Sequence, residues 1–298
     1  MEFKTIGLIG YGEVGKIFSA GLKNADGIES VHAWDCKFVG DTANAELVHA
    51  RAAGITAHLS SKALCEASDL VIAAVTASQS FAVSEEAAKF IRPGSVYLDL
   101  NSASPGTKQR SAALIEAAGA HYVEAGVMTS VPPYGIRTPM LLGGPLADSL
   151  APTLVAWGMD TKAVSDQLGV ASAIKMCRSI MIKGLEALVI ESYTTARAYG
   201  VEGHVLPTLT ETFPGIDWET TGAYFFSRVV QHGQRRAEEM RESANTVREA
   251  GFEPLMTASI ADKQQWVADL AKAGLFDGVG KNAPWQDYAD LLLAARKT

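Results

Sequence analysis

The stretch Ile6-Gly7-Leu8-Ile9-Gly10-Tyr11-Gly12-Glu13-Val14-Gly15 decides how this 298-residue chain is read. A short, mainly apolar run enters glycines spaced G-x-G-x-x-G, and a helical pattern opens near Glu13. That spacing means little alone, but between a strand and a helix it has a mechanical reason. Gly10 permits the tight turn, Gly12 lets backbone approach a pyrophosphate, and Gly15 lets helix and strand pack closely. Free amide donors at the helix start then face the diphosphate. Tyr11, Glu13 and Val14 sit among these glycines and are read with them as one dinucleotide contact.

About twenty residues beyond Gly15, Asp35 follows the apolar run Ser30–Trp34. An acidic side chain there accepts hydrogen bonds from ribose hydroxyls, as NAD requires, and would repel a 2′-phosphate. Lys37 stands close enough to weaken that preference, so NADP stays open.

Downstream, Ile55–Leu59, Leu70–Val75, Val96–Leu100, His121–Ala125 and Met140–Leu142 read as strands. Helical patterns at Asn44–Ala53, Lys62–Ala67, Phe81–Ile91 and Pro105–Ala118 separate the earlier ones. This alternation implies βαβ units and a mainly parallel sheet covered by helices on both faces. From Val170 to Tyr199 there is no proline and the only glycine is Gly184, which predicts one helix about 45 Å long. Further helices are expected at Trp218–Ala250, Ala258–Ala273 and Trp285–Arg296. The expected fold class is α/β: a Rossmann-like doubly wound sheet over residues 1–165, then an all-α domain over 166–298, joined by the long helix.

With 26 Lys plus Arg against 33 Asp plus Glu, the chain carries no basic footprint for a nucleic-acid partner. Cys36, Cys65 and Cys177 are too scattered for a zinc spacing or a disulfide framework, which suits a reducing cytoplasm. Met1 leads directly into the first strand without a signal-peptide pattern, and no apolar run reaches spanning length. A cytoplasmic protein without a membrane partner is expected. No histidine pair has metal-ligand spacing, and hydride transfer needs no metal.

Three further segments accompany the glycine motif: Asp99-Leu100-Asn101-Ser102-Ala103-Ser104-Pro105, Val123-Glu124-Ala125-Gly126-Val127-Met128, and Gly169–Lys175. Together they make the chain resemble the β-hydroxyacid dehydrogenase superfamily, whose members include 3-hydroxyisobutyrate and 6-phosphogluconate dehydrogenases. The segment His232-Gly233-Gln234-Arg235-Arg236-Ala237-Glu238-Glu239-Met240 resembles a less characterised branch with a phosphogluconate-dehydrogenase-like C-terminal domain. The resemblance implies hydride transfer between a nicotinamide cofactor and a small, anionic hydroxy acid or its keto partner, in a homodimer. It also assigns Lys175 as the general acid/base. Two alternatives share the architecture. One is an imine reductase, against which Lys175 argues mildly because such enzymes commonly replace it; the other is a non-catalytic dinucleotide sensor or scaffold.

The residues support these roles unevenly. Reducing a ketone creates an alkoxide that needs a proton, and a lysine whose pKa is drawn toward the working pH exchanges it. Arg178 and Ser179 follow Lys175 at helical spacing and could meet the substrate. Asn101 and Ser102 lie at the carboxyl end of a strand, where doubly wound sheets bind ligands, although an Asn-Ser pair also suits a plain turn. Val75 and Thr76 begin another expected cofactor loop. Where the superfamily usually carries Pro-Val-Ser-Gly-Gly, this chain has Gly126-Val127-Met128-Thr129-Ser130. Val127, Met128, Thr129 and Ser130 are therefore expected to line the substrate pocket, with Met128 making it more apolar. His232, Arg235 and Arg236 share a helix face suited to an anion, in competition with ion pairs to Glu238 and Glu239.

Overall fold

The structure, a computed structural model, describes residues 1–39 and 43–296. It divides into two compact units, Met1–Met176 and Cys177–Thr298.

The first unit opens with β1 (Thr5–Ile9), α1 (Glu13–Leu22), β2 (Ser30–Trp34), α2 (Ala43–Ala52) and β3 (Thr56–Ala57). It continues through α3 (Ser61–Ala67), β4 (Leu70–Ala73), α4 (Ser80–Ala88), β5 (Val96–Asp99), α5 (Pro105–Ala117) and β6 (His121–Val127). It then runs through β7 (Met140–Gly143), α6 (Ala147–Ala156) and β8 (Thr161–Ser165) into α7 (Val170–Tyr199), and ends inside that helix. The eight strands form one sheet in the order β3-β2-β1-β4-β5-β6-β7-β8. Neighbours run parallel except β6 and β7. Every residue of β4 and β5 is buried, as expected for strands covered on both faces. Alternate residues feed two cores: Ile6, Leu8, Ile72 and Leu98 on one side, Ile9, Val71, Ala73 and Tyr97 on the other.

Expectation and structure differ at the far edge of the sheet. The sequence reading ended the strands at Leu142, yet α6 and β8 follow. Pro152 lies inside α6 and interrupts its pattern. β8, with the sequence Thr-Lys-Ala-Val-Ser, is an edge strand that is mostly half-exposed, so it lacks an apolar run.

The second unit holds the remainder of α7 with α8 (Glu202–Thr212), α9 (Trp218–Glu249), α10 (Leu255–Lys272) and α11 (Trp285–Ala295). Helix α8 was not anticipated because Pro207 lies within it. An aromatic core joins Tyr193 of α7, Trp218 and Phe226 of α9, and Trp285 and Tyr288 of α11. Tyr193 and Trp285 meet edge to face with centroids 4.9 Å apart. A Cβ on Gly222 would lie 2.5 Å from the Tyr193 ring, so α9 packs here only through a glycine. Among the described residues, no helix is long and apolar enough to cross a membrane.

Candidate active site

The order of the sheet creates the site. β1 has β2 on one side and β4 on the other, so the chain reverses direction across the sheet at that point. Loops beyond the carboxyl ends of β1 and β4 therefore border a crevice, the usual ligand position in doubly wound sheets. Gly10 holds φ at +96°, and an added Cβ would strike the Ala74 carbonyl oxygen after β4. A Cβ on Gly15 would strike the Gly10 carbonyl. Gly12 differs, because an added Cβ would meet nothing within 4 Å. Gly10 and Gly15 thus shape the turn, while Gly12 presents open backbone at the start of α1. Glu13 is exposed and Val14 half-buried in that first turn.

The Tyr11 side chain does not join the cradle. Its ring is buried against Phe38, with centroids 5.4 Å apart, and its hydroxyl meets His49 Nδ1 at 3.1 Å. Its backbone contributes instead: the Tyr11 amide donates to Asp35 Oδ2 at 2.7 Å. Asp35 Oδ1 also accepts from the Lys37 amide at 2.9 Å. The carboxylate is thereby fixed beside the glycine turn with acceptor capacity left on both oxygens.

A second set of contacts organises the ends of β4 and β5. Asn101 Oδ1 accepts from the Val75 amide at 2.7 Å, tying the two loops together. The Asn101 amide donates to Asp99 Oδ1 at 2.9 Å. Asp99 is wholly buried and also receives the Tyr122 hydroxyl at 2.6 Å and Lys108 Nζ at 3.1 Å. Burial, with Asp99 alongside, pushes the Tyr122 hydroxyl well above its ordinary pKa, so it remains a donor. Asn101 Nδ2 is buried without a hydrogen-bond partner. Thr76 is exposed, with Oγ1 3.2 Å from Ser78 Oγ. The open backbone at Gly12, the fixed Asp35 carboxylate and the spare Asn101 amide fit a bound dinucleotide.

Lys175 reaches this crevice from sequence 73 residues away: its Nζ donates to Ser102 Oγ at 2.5 Å. Both residues are half-buried. A carboxylate to which the sequence reading gave no role positions the start of α7. Glu124, wholly buried in β6, accepts from the Gly169 amide at 2.8 Å and the Ala171 amide at 2.9 Å through Oε1. The carboxylate thus satisfies amides that the helix start leaves open, where the helix dipole also favours negative charge. Gly126 lets the helix approach, since a Cβ there would lie 2.9 Å from the Ala171 carbonyl oxygen and 3.5 Å from Lys175 Cβ. The available signal for Glu124 was a single charge within the otherwise apolar run of β6.

Beyond Gly126, Val127, Met128 and Ser130 are half-buried and Thr129 exposed. The Met128 amide donates to the Pro139 carbonyl at 2.9 Å, which anchors this loop to the residue before β7. On α7, Arg178 is exposed and Ser179 buried.

In the second unit the structure corrects one expectation. Arg236, expected to hold an anionic substrate, is buried and donates to Glu186 Oε1 at 2.6 Å. Gln264 Nε2 meets the other Glu186 oxygen at 3.3 Å. The guanidinium is engaged inside the bundle and is not presented to a ligand. His232, half-buried four residues earlier, is held neutral: burial first, then Arg228, Arg235, Arg236 and Lys281, bring its pKa down to about 4. Among the described residues, no cluster of three His, Cys, Asp or Glu could hold a metal.

Known proteins place these features in a lineage. Residues 5–150 match the NAD binding domain of 6-phosphogluconate dehydrogenase. Residues 196–267 match a Domain of unknown function (DUF1932). A conserved hypothetical protein from Sinorhizobium meliloti 1021, of known crystal structure, is 33% identical, with 99% of this chain and 97% of that one covered and a TM-score of 0.77. An uncharacterized 28.5 kDa protein in the 7S RNA 5′ region of Methanothermus fervidus is 28% identical over 258 residues, 84% of this chain and 94% of its own. Mycobacterium tuberculosis 3-hydroxyisobutyrate dehydrogenase, solved with L-serine, shares the fold at 16% identity, with 99% and 100% covered and a TM-score of 0.66. Residues 5–150 thus form an NAD-binding domain of the 6-phosphogluconate dehydrogenase type, followed by a helical region; the whole chain is similar to the Sinorhizobium meliloti conserved hypothetical protein and shares its fold with a 3-hydroxyisobutyrate dehydrogenase.

Proposed function

We propose that the protein is a dehydrogenase or reductase that interconverts a small hydroxy acid, or a related hydroxy compound, and its keto partner. The observation that carries this reading is the hydrogen bond from Lys175 Nζ to Ser102 Oγ. It sets a proton-exchanging amine at the carboxyl end of β5, within the crevice that Gly10, Gly12 and Asp35 prepare for a dinucleotide. When bound, the nicotinamide cofactor accepts or supplies the hydride. Lys175 takes the hydroxyl proton during oxidation and returns one to the carbonyl oxygen during reduction. Ser102 orients the amine and offers the substrate oxygen a second hydrogen-bonding group. Asn101 keeps the two loops in register, and the Val127–Ser130 loop borders the substrate.

Titrating the protein with NADH and NADPH, followed by nicotinamide fluorescence, tests the foundation. Saturable NADH binding with weaker NADPH binding is expected. Asp35→Ala should then reverse or flatten that preference, because the repulsion of a 2′-phosphate is gone. An unchanged preference would assign the ribose to other residues, and a folded protein that binds neither cofactor would sink the redox reading. Screening hydroxy acids against cyclic imines separates the chemistries: turnover of imines alone would favour the imine reductase alternative.

We also propose that the working form is a homodimer. On α7, Met181, Ile182, Leu188 and Tyr199 are all exposed, with Met181 and Leu188 two helical turns apart on one face. Met181, Ile182 and Leu188 form an exposed apolar segment of α7 that a second copy could cover. Light scattering should report twice the chain mass, and the double change Met181→Glu with Leu188→Glu should release monomers. A monomeric mass for the unmodified protein would reject this assignment.

A further inference from the structure

A pair of opposite charges is sealed inside the first unit, one layer behind the residues that border the crevice. Asp99 is 0% exposed and Lys108 only 1%, and Lys108 Nζ lies 3.1 Å from Asp99 Oδ2. The same amine donates to the Asp99 carbonyl at 3.0 Å, so it clamps both side chain and backbone at the end of β5. Its place follows from how α5 begins. Ser104 caps that helix by accepting from the Thr107 amide at 3.3 Å, and Pro105 opens the first turn. Helical side chains lean toward the N-terminus, so Lys108, one turn in, reaches back to the strand that α5 follows.

A buried ion pair does little for stability as such, because desolvation offsets most of the attraction. What sets this pair apart is the work of the other carboxylate oxygen. Asp99 Oδ1 accepts from the Asn101 amide at 2.9 Å, and Asn101 Oδ1 accepts from the Val75 amide at 2.7 Å. Lys108, Asp99, Asn101 and Val75 thus form one chain of contacts from α5 to the loops after β5 and β4. Tyr122 holds the carboxylate from β6, donating to Oδ2 at 2.6 Å. The Leu100 amide donates to the Ala73 carbonyl at 3.0 Å, which keeps the ends of β5 and β4 level.

We propose that Lys108 is a positioning residue for the dinucleotide site. It acts through Asp99. Its charge lets a carboxylate remain buried at the end of β5, and that carboxylate sets the turn that presents Asn101 to the cofactor and Ser102 to Lys175. An uncharged side chain at position 108 would strand Asp99 in the interior, and the strand end would have to shift to relieve it. The proposal rests on the dinucleotide reading of the crevice.

The test is NADH binding by the full chain, followed by nicotinamide fluorescence, with the melting temperature of each variant measured alongside. Lys108→Met should melt lower and bind NADH at least about tenfold more weakly. Because a stranded carboxylate puts folding itself at risk, two charge-free double variants decide. Lys108→Met with Asp99→Asn keeps an oxygen for the Asn101 amide, and NADH affinity within about threefold of the unmodified protein is expected. Lys108→Met with Asp99→Leu also buries no charge but removes that acceptor, so binding at least about tenfold weaker is expected. A pair that only supported the fold would make the two double variants alike, and equal NADH affinities would overturn the proposal. So would a folded Lys108→Met variant with NADH affinity within about twofold of the unmodified protein. The reading beneath the proposal is judged on the unmodified protein alone. If that protein binds no NADH, the dinucleotide reading fails and the positioning role goes with it.

Discussion

Replacing Lys175 with alanine lowers turnover by about two to four orders of magnitude and leaves NADH affinity within about twofold. The two halves of that expectation come from different residues. In the proposed reading, cofactor affinity rests on the Gly10–Gly15 turn and Asp35, whereas Lys175 donates to Ser102. In the proposed mechanism, turnover rests on the amine that donates to Ser102, which gives up and recovers a proton at the substrate oxygen. Lys175→Met is the stricter version, because it keeps an unbranched stem of similar length beside Gly126 and removes only the amine. Adding a small primary amine to Lys175→Ala should restore part of the rate, whereas a purely structural defect would not respond. A variant that turned over substrate within about twofold of the unmodified protein would remove Lys175 from the chemistry.

The parts of this site that could be read from sequence are those whose chemistry is local. Gly10, Gly12 and Gly15 act through backbone conformation and close approach, and their spacing between a strand and a helix states that function directly. The same holds for the helix Val170–Tyr199, whose expected limits coincide with α7 because no proline interrupts it. Elements that break their own local rule were hidden. Pro152 and Pro207 disguise α6 and α8, and β8 has too little apolar character to announce a strand.

Roles decided by partners distant in sequence were hidden for another reason. Helical spacing put Arg236 beside His232, but the residue that claims its guanidinium, Glu186, lies 50 positions earlier on α7. Nothing in the spacing along α9 could show that. Tyr11 is similar: its place between two glycines suggested a ligand contact, while His49 and Phe38 draw its ring into the core. Its backbone amide serves the site through Asp35.

Glu124 extends this point into the second large effect. Glu124→Ala should lower the melting temperature by roughly 6–12 °C. Two buried amides, of Gly169 and Ala171, lose a charged acceptor to which they donate at 2.8 and 2.9 Å. Leaving them unpaired costs about 3 kcal/mol in all, and a unit of this size loses about 2–4 °C per kcal/mol. Glu124→Gln keeps one oxygen acceptor but gives up the charge at the helix start, so a smaller loss is expected. The effect also reaches the chemistry, because Lys175 lies four residues beyond Ala171 on the same helix. If the first turn of α7 shifts, the amine leaves Ser102. Assayed at a temperature where it remains folded, Glu124→Ala should therefore lose about ten- to a hundredfold in kcat with NADH affinity retained. Loss of stability at full kcat would show that Glu124 holds the fold but does not set Lys175. Loss of both with restoration by Glu124→Asp would show that a carboxylate in β6 positions the amine.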